Sequence, residues 1–290
     1  MIAYYDAHNH FQDDWLKPYR STIAEELVRI GLRAAVVNGT CEGDWTEVAE
    51  LAKSYSWVRP SFGLHPWDAG NRSEAWKSHF EAVFDRCPRA AVGEIGLDRW
   101  ILDRAKPDDP RLAGMRRAPL EEQQDVFLWQ LAFATKRNLP ATVHCLDAWG
   151  ALDAALREVE RPERGFLLHA YGGPAEMVRG FVRLGAYFSF NGYFLRDTEP
   201  TSNFSGKLPN KLGTFKSIPL DRLLMETDAP AMGLPQAWSN HALPSAAEGS
   251  AINHPANIEA AYRGLAAVRG LTVEALAVQV GENFKRFFGI

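Results

Sequence analysis

The chain has 290 residues, of which 46% are hydrophobic, with a formal charge of -4 and 3 cysteines. That length buries a large core and suits one α/β barrel or two ordinary domains, while the mild negative charge excludes a global basic field for sequence-independent nucleic-acid binding but not a local phosphate site. Cys41, Cys87 and Cys145 lie far apart with no Cys-x-x-Cys, no apolar run is long enough for a bilayer, and residues 1–10 lack a signal peptide's basic and apolar regions. We therefore expect a reduced, cytoplasmic protein with no membrane contact.

The first strand opens at Ile2 and leads into Asp6-Ala7-His8-Asn9-His10. Alternate side chains of a strand share a face, so His8 and His10 point together with Asp6 behind them. A helix over 22–30 precedes strand two, Arg33–Asn38; Asp44 is positioned to cap a helix to about Tyr55. Strand three is Arg59–Leu64, followed at once by His65, and Ser73 is expected to cap a helix through Phe84. Strand four, Ala90–Ile95, is apolar except for Glu94. Residues 99–118 read as a long charged loop. Pro119 opens the clearest helix, with Glu121 and Glu122 in its first turn, Lys136 and Arg137 in its last, and an apolar stripe through Leu120, Phe127, Leu131 and Ala134.

Strand five is Ala141–His144 with a helix over 148–159, and strand six is Phe166–His169 with a helix over 174–184. Strand seven is Ala186–Asn191, strand eight Arg222–Asp228, and helices over 256–269 and 273–287 follow. No repeat, linker or low-complexity tract divides the chain. Eight strand–helix units predict a single-domain (β/α)8 TIM barrel over 1–290, whose active site lies at the carboxyl ends of the strands. An open doubly wound sheet is the competing fold, but no Gly-x-Gly-x-x-Gly follows strand one.

Those strand ends carry a pattern. His8 and His10, Glu94, His144, His169 and Asp228 each end an apolar run, and a buried ionisable group must be paired, solvated or given to a metal. Four histidines and two carboxylates exceed one tetrahedral zinc site. We assign His8, His10 and Asp228 to one divalent cation, His144 and His169 to a second, and Glu94 to the bridge. Water activated there is the nucleophile and Asp228 the general base. Histidine-rich coordination suits zinc, manganese or nickel.

The chain resembles the TatD family of metal-dependent hydrolases, within the amidohydrolase-like barrels. The resemblance rests on His-x-His, Gly63-Leu64-His65-Pro66, Gly93-Glu94-Ile95-Gly96-Leu97-Asp98, His144, His169, Glu226-Thr227-Asp228-Ala229-Pro230 and the closing 281–289 segment. It implies a two-metal site, deoxyribonuclease activity on DNA or another phosphodiester with magnesium as a further candidate cation, and a phosphate contact for His65 beside the metals. Three departures fall among substrate positions. Leu146 stands where the family usually has Arg, Ala170-Tyr171 follow His169, and Asn253-His254 replace Asn-Glu. A carbonyl substrate (amidohydrolase or lactonase chemistry) is the alternative, although no lysine ends a strand to bridge such metals. A non-catalytic barrel is a third reading, opposed by the complete ligand set.

Other residues have plainer readings. His65 could cap its loop instead. Asp6 either orients a ligand imidazole or pairs with a base elsewhere. Cys145 alternates away from His144 and packs. His79 and His241 default to the surface; His254 is substrate rim or loop surface. The 99–118 arginines read as a solvated loop balanced by Asp103, Asp108 and Asp109 rather than a phosphate flap. In the loops at 197–217 and 231–255, Phe204, Phe215 and Trp238 read as core or lid residues with base stacking as the alternative. No protein partner is implied, and a monomer is expected.

Overall fold

Eight short runs of mostly Ala, Val, Leu and Phe become the staves of a parallel barrel in the computed structural model, which describes residues 2–198, 211–244 and 252–290. The strands are β1 (Tyr4–Asn9), β2 (Leu32–Gly39), β3 (Val58–Phe62), β4 (Ala91–Asp98), β5 (Ala141–Leu146), β6 (Phe166–Leu168), β7 (Ala186–Asn191) and β8 (Leu223–Glu226). They pair in sequence order, β1 to β8. Every residue of β4 and β7 is buried, as expected for parallel strands covered on both faces. The ring closes where β1 meets the end of β8: Asp228 N–H donates to His8 O at 2.9 Å and His10 N–H to Ala229 O at 2.8 Å. The architecture is the predicted (β/α)8 barrel.

The helices are α1 (Arg20–Ile30), α2 (Trp45–Ser54), α3 (Trp76–Arg86), α4 (Trp100–Asp103), α5 (Leu120–Arg137), α6 (Trp149–Glu158), α7 (Val178–Arg183), α8 (Lys211–Ser217), α9 (Ile258–Arg269) and α10 (Val273–Phe288). Their apolar faces and the strands share one large core, while Tyr5, Ala7, Val36, Leu167 and Leu224 form a second cluster with Phe284, Phe287 and Phe288 of α10. Each such phenylalanine contributes roughly 1.5–3 kcal/mol by leaving water. Among the described residues, no single helix is long and apolar enough to cross a membrane.

Several local expectations need correction. Asp44 does precede α2, but its carboxylate accepts from the Thr40 and Cys41 amides and Gln12 instead of capping the helix. Ser73 bonds Glu42, and α3 starts after Ala75. Strands β4 and β5 run to Asp98 and Leu146, three and two residues beyond the expected ends, because they pair through Asp98↔Leu146. The 99–118 stretch contains α4, and the 197–217 loop contains α8. Phe215 is fully buried core and Trp238 packs partly buried against it, whereas Phe204 lies outside the described residues.

Two glycines let the barrel close tightly around Glu94. A Cβ on Gly63 would sit 2.5 Å from Glu94 N, so only glycine lets the end of β3 lie against that peptide. Gly96, at φ 148°, would put a Cβ 2.0 Å from His144 O. Both positions bring the backbones that carry Glu94 and His144 together.

Candidate metal centre

The six strand-end residues converge. His8 lies in β1 and His10 just past it, Glu94 in β4, His144 in β5, His169 directly after β6, and Asp228 two residues beyond β8. His8 Nε2 and His10 Nε2 are 3.2 Å apart; Glu94 Oε2 lies 3.3 Å from the first and 3.4 Å from the second. Asp228 Oδ1 lies 3.5 and 3.3 Å from the same two nitrogens. A regular tetrahedron of donors about 2.0–2.1 Å from a cation has edges of about 3.3–3.4 Å. Five of the six edges among these four atoms thus lie at 3.2–3.5 Å, close to that spacing.

The other oxygen of Glu94 faces a second group. Oε1 is 2.9 Å from His144 Nδ1 and 2.8 Å from His169 Nε2, and those nitrogens are 3.3 Å apart. The carboxylate thus turns one oxygen to each histidine pair. The His8 and His169 rings stack between the groups, centroids 4.0 Å apart.

Hydrogen bonds on the far side of the rings decide which nitrogens are free to ligate. His10 Nδ1 donates to Asn38 O at 2.9 Å, leaving Nε2 with its lone pair inward. Asp98 Oδ2 takes His144 Nε2 at 3.2 Å, which directs Nδ1 at Glu94. His169 Nδ1 looks toward Glu226 Oε1 at 3.8 Å; His8 Nδ1 is buried with no hydrogen-bond partner among the described residues. His65 differs: its Nδ1 accepts the Trp67 amide at 3.2 Å, so the neutral ring carries its proton on Nε2, 3.3 Å from Glu94 Oε1. It is a hydrogen-bond donor at the edge of the centre.

Without a cation the cluster neutralises itself with protons. Burial raises the Glu94 carboxyl, but His169, His65 and His8 outweigh it and hold the group well below its ordinary range. Asp228 is likewise lowered, against burial, by His10 and His8. Burial disfavours charge on His10, His144 and His169, yet the carboxylates beside them win: His144 is raised to about 9 and the other two well above the ordinary value. Burial keeps His8 and His65 low.

The centre opens into a cleft of about 570 Å³ whose walls include Trp67, Leu146, Tyr193, Arg196 and Met232. Leu146 is 39% exposed and brings no charge to that wall.

The remaining candidates divide. Among the described residues Asp6 meets no imidazole ring and no base: it accepts from the His8 and Thr227 amides, Thr227 Oγ1 and Asn9 Nδ2, fastening the end of β8 to β1. His241 is not a surface residue; Glu26 lies 2.9 Å from its Nδ1 and Glu259 3.3 Å from its Nε2. His254 is buried against the same Glu26 at 3.2 Å, and its Nδ1 accepts the Ala256 amide, so Nε2 carries the proton. That trio is a hydrogen-bonded clip between α1 and the post-β8 loop, with no lone pair on His254 left for a metal. His79 is exposed and pairs with Glu42, and Cys145 is buried in the core. In the charged loop Asp103 and Asp109 pair with Arg99 and Arg111; Glu122 and Asp147, not Asp108, hold Arg116 and Arg104.

Three kinds of positioning residue went unread. Asp98 orients His144, and Glu226, held by Ser189 and Asn191, backs His169. Gln123 and Gln130 of α5 reach the site's backbone. Gln130 accepts the Leu64 amide at 2.7 Å and donates to Leu64 O at 3.2 Å, beside His65, and Gln123 brackets Asp98 the same way at 2.8 and 3.0 Å.

An "Uncharacterized metal-dependent hydrolase YabD" of Bacillus subtilis is 26% identical over 99% of this chain and 99% of its own length. The "3'-5' ssDNA/RNA exonuclease TatD" of Escherichia coli is 28% identical over 90% of this chain and 89% of its own. The crystal structure of the Escherichia coli TatD homologue YjjV superposes with a TM-score of 0.80 at 24% identity, covering 99% of this chain and 98% of that one. The family model described as "TatD related DNase" matches residues 5–289. This chain belongs to the TatD family of metal-dependent hydrolases.

Proposed function

We propose that the chain is a two-cation phosphodiesterase acting on DNA or a closely related phosphodiester, with residues 1–290 forming one catalytic unit. The observation that carries this reading is the division of Glu94 between two histidine pairs, Oε2 toward His8 and His10 and Oε1 toward His144 and His169. In this reading His8, His10 and Asp228 hold one ion, His144 and His169 the other, and Glu94 both. Nitrogen-rich donors favour zinc, with manganese, nickel or magnesium as replacements set by availability. Every donor comes from one chain, so a monomer suffices, and the three free cysteines suit the reducing cytoplasm.

When bound, the cations supply the charge that polarises the phosphoryl group and acidifies the attacking water. The side chains do the rest. Asp228 Oδ1 is engaged with His8 and His10, which leaves Oδ2 to take the proton of the water. His65, kept neutral by burial and pinned by the Trp67 amide, presents Nε2–H to a phosphoryl oxygen. Trp67, Tyr193 and Met232 give a sugar or base apolar surface to lie on.

The test compares the cation-loaded protein on bis(p-nitrophenyl) phosphate, single-stranded DNA, an aryl ester and a lactone. We expect turnover of the phosphodiesters, up to two equivalents of cation, and loss of most of one equivalent in the His8→Ala/His10→Ala double variant. Turnover confined to the carbonyl compounds overturns the substrate class, and unchanged cation content in the double variant overturns the ligand assignment.

A further inference from the structure

Arginines near the mouth of the barrel are, with one exception, already engaged. Arg99, Arg104, Arg111 and Arg116 each face a carboxylate, and Arg117 donates to three main-chain carbonyls. Arg196, just after β7, is half-buried and lines the cleft that holds Glu94 and Asp228, yet among the described residues no carboxylate pairs with it. Its guanidinium lies over the Tyr193 ring, 4.0 Å from the centroid, with Nη1 against the Tyr193 hydroxyl. Lys211, the other cation on these walls, directs its ammonium to the carbonyls of Gly172 and Gly173.

The platform under Arg196 is tied to the centre. Tyr193 N–H donates to Asn191 Oδ1 at 2.9 Å, and Asn191 Nδ2 donates to Thr227 O at 3.0 Å, one residue before Asp228. The guanidinium is thus held in register with Asp228 through three linked residues. Stacking on an aromatic face satisfies the flat side of a guanidinium and leaves its edge N–H groups to bind a planar or tetrahedral anion in bidentate fashion. A half-desolvated cation with no carboxylate against it among the described residues, inside the cleft, is poised for an anionic ligand.

We propose that Arg196, laid on Tyr193, is the residue of this cleft that binds a charged phosphoryl oxygen of the substrate. Leu146, exposed on the wall of the same cleft, offers only apolar surface and no charge for a phosphoryl group. This rests on the phosphodiester reading above. It adds the side chain that sets affinity for the anion, and it commits to a phosphoryl ligand rather than a neutral ester.

The test uses the full-length, cation-loaded protein and its Arg196→Met and Arg196→Lys variants. The KM and kcat are read on bis(p-nitrophenyl) phosphate, with binding of inorganic phosphate by calorimetry and cation content on the same samples. A lost charge-assisted bidentate contact costs roughly 10- to 100-fold in affinity. We expect Arg196→Met to raise KM and weaken phosphate binding by that factor, with a much smaller change in kcat, unchanged cation content, and Arg196→Lys in between. Unchanged KM and phosphate affinity in Arg196→Met overturns the assignment while leaving phosphodiesterase activity standing. A wild type that turns over no phosphodiester, but whose phosphate affinity still falls in Arg196→Met, overturns the activity and keeps the anion site. Parallel loss of cations in both variants makes the effect structural and overturns the assignment.

Discussion

Asp98 Oδ2 lies 3.2 Å from His144 Nε2 while also accepting the Trp67 indole N–H at 2.6 Å. The carboxylate therefore fixes both the tautomer and the tilt of the ring whose Nδ1 faces Glu94. Removing such a partner typically weakens a metal site by about 10- to 100-fold. On the two-cation proposal, Asp98→Ala should lower affinity for one cation by that factor and leave the other unchanged, as read by competition with a chromogenic chelator. Equal weakening of both ions, or of neither, counts against this role.

Cation uptake should release protons. His10 and His169 are held well above the ordinary imidazole value and His144 at about 9, by carboxylates that outweigh burial. At neutral pH those rings carry protons that a cation must displace, so affinity rises with pH between about 6 and 9. Calorimetric titration of apo-protein with Zn²⁺ in buffers of different ionisation enthalpy measures the protons released. Uptake with no proton release sinks this account.

The clip around Glu26 predicts acid sensitivity away from the centre. Burial, with His241 adding to it and Glu26 opposing, pushes His254 down to about 4. An unfolded imidazole takes up its proton near about 6.5, so between those values the unfolded state binds more protons than the folded one. Stability from His254 is complete above about 6.5 and is lost as pH falls toward 4, on the order of 3 kcal/mol at most. Urea midpoints from pH 7.5 to 4.5 should fall more steeply for wild type than for His254→Gln. Parallel curves refute the idea.

Gln130 should matter for stability despite lying on the exterior helix α5. It satisfies both the N–H and the C=O of Leu64 in a buried environment. Gln130→Leu keeps the bulk but orphans both groups, at a cost of about 1–3 kcal/mol. Urea unfolding checks the magnitude. A second consequence is a looser His65, visible as a higher KM in the same variant.

The alternation of apolar runs and amphipathic segments was enough to read the barrel, and polar residues ending apolar strands were enough to list the six that converge. Asp98 escapes that rule because the apolar run of strand four stops at Ile95, whereas pairing of Asp98 with Leu146 carries the strand three residues further. The two glutamines of α5 escaped because helix reading looks for an apolar stripe, and a buried glutamine interrupts one. His241 was misjudged because its burial comes from Glu26 and Glu259, on helices distant in sequence. Asp44 and Ser73 sit near helix starts, yet other donors compete for their side chains. Arg196 carries no local signal at all, since its seat on Tyr193 and its place in the cleft show only once its neighbours are in position.

The join between His8 and Asp228 has a consequence for how the chain matures. The donors of one cluster come from opposite ends of the barrel's sequence, and main-chain bonds from His8 and His10 to the residues at 228 and 229 hold them together. A growing polypeptide on the ribosome therefore lacks that pocket until the eighth stave has emerged and docked. A cation at that pocket would be captured late, after one held by Glu94, His144 and His169, and its arrival would report a completed ring.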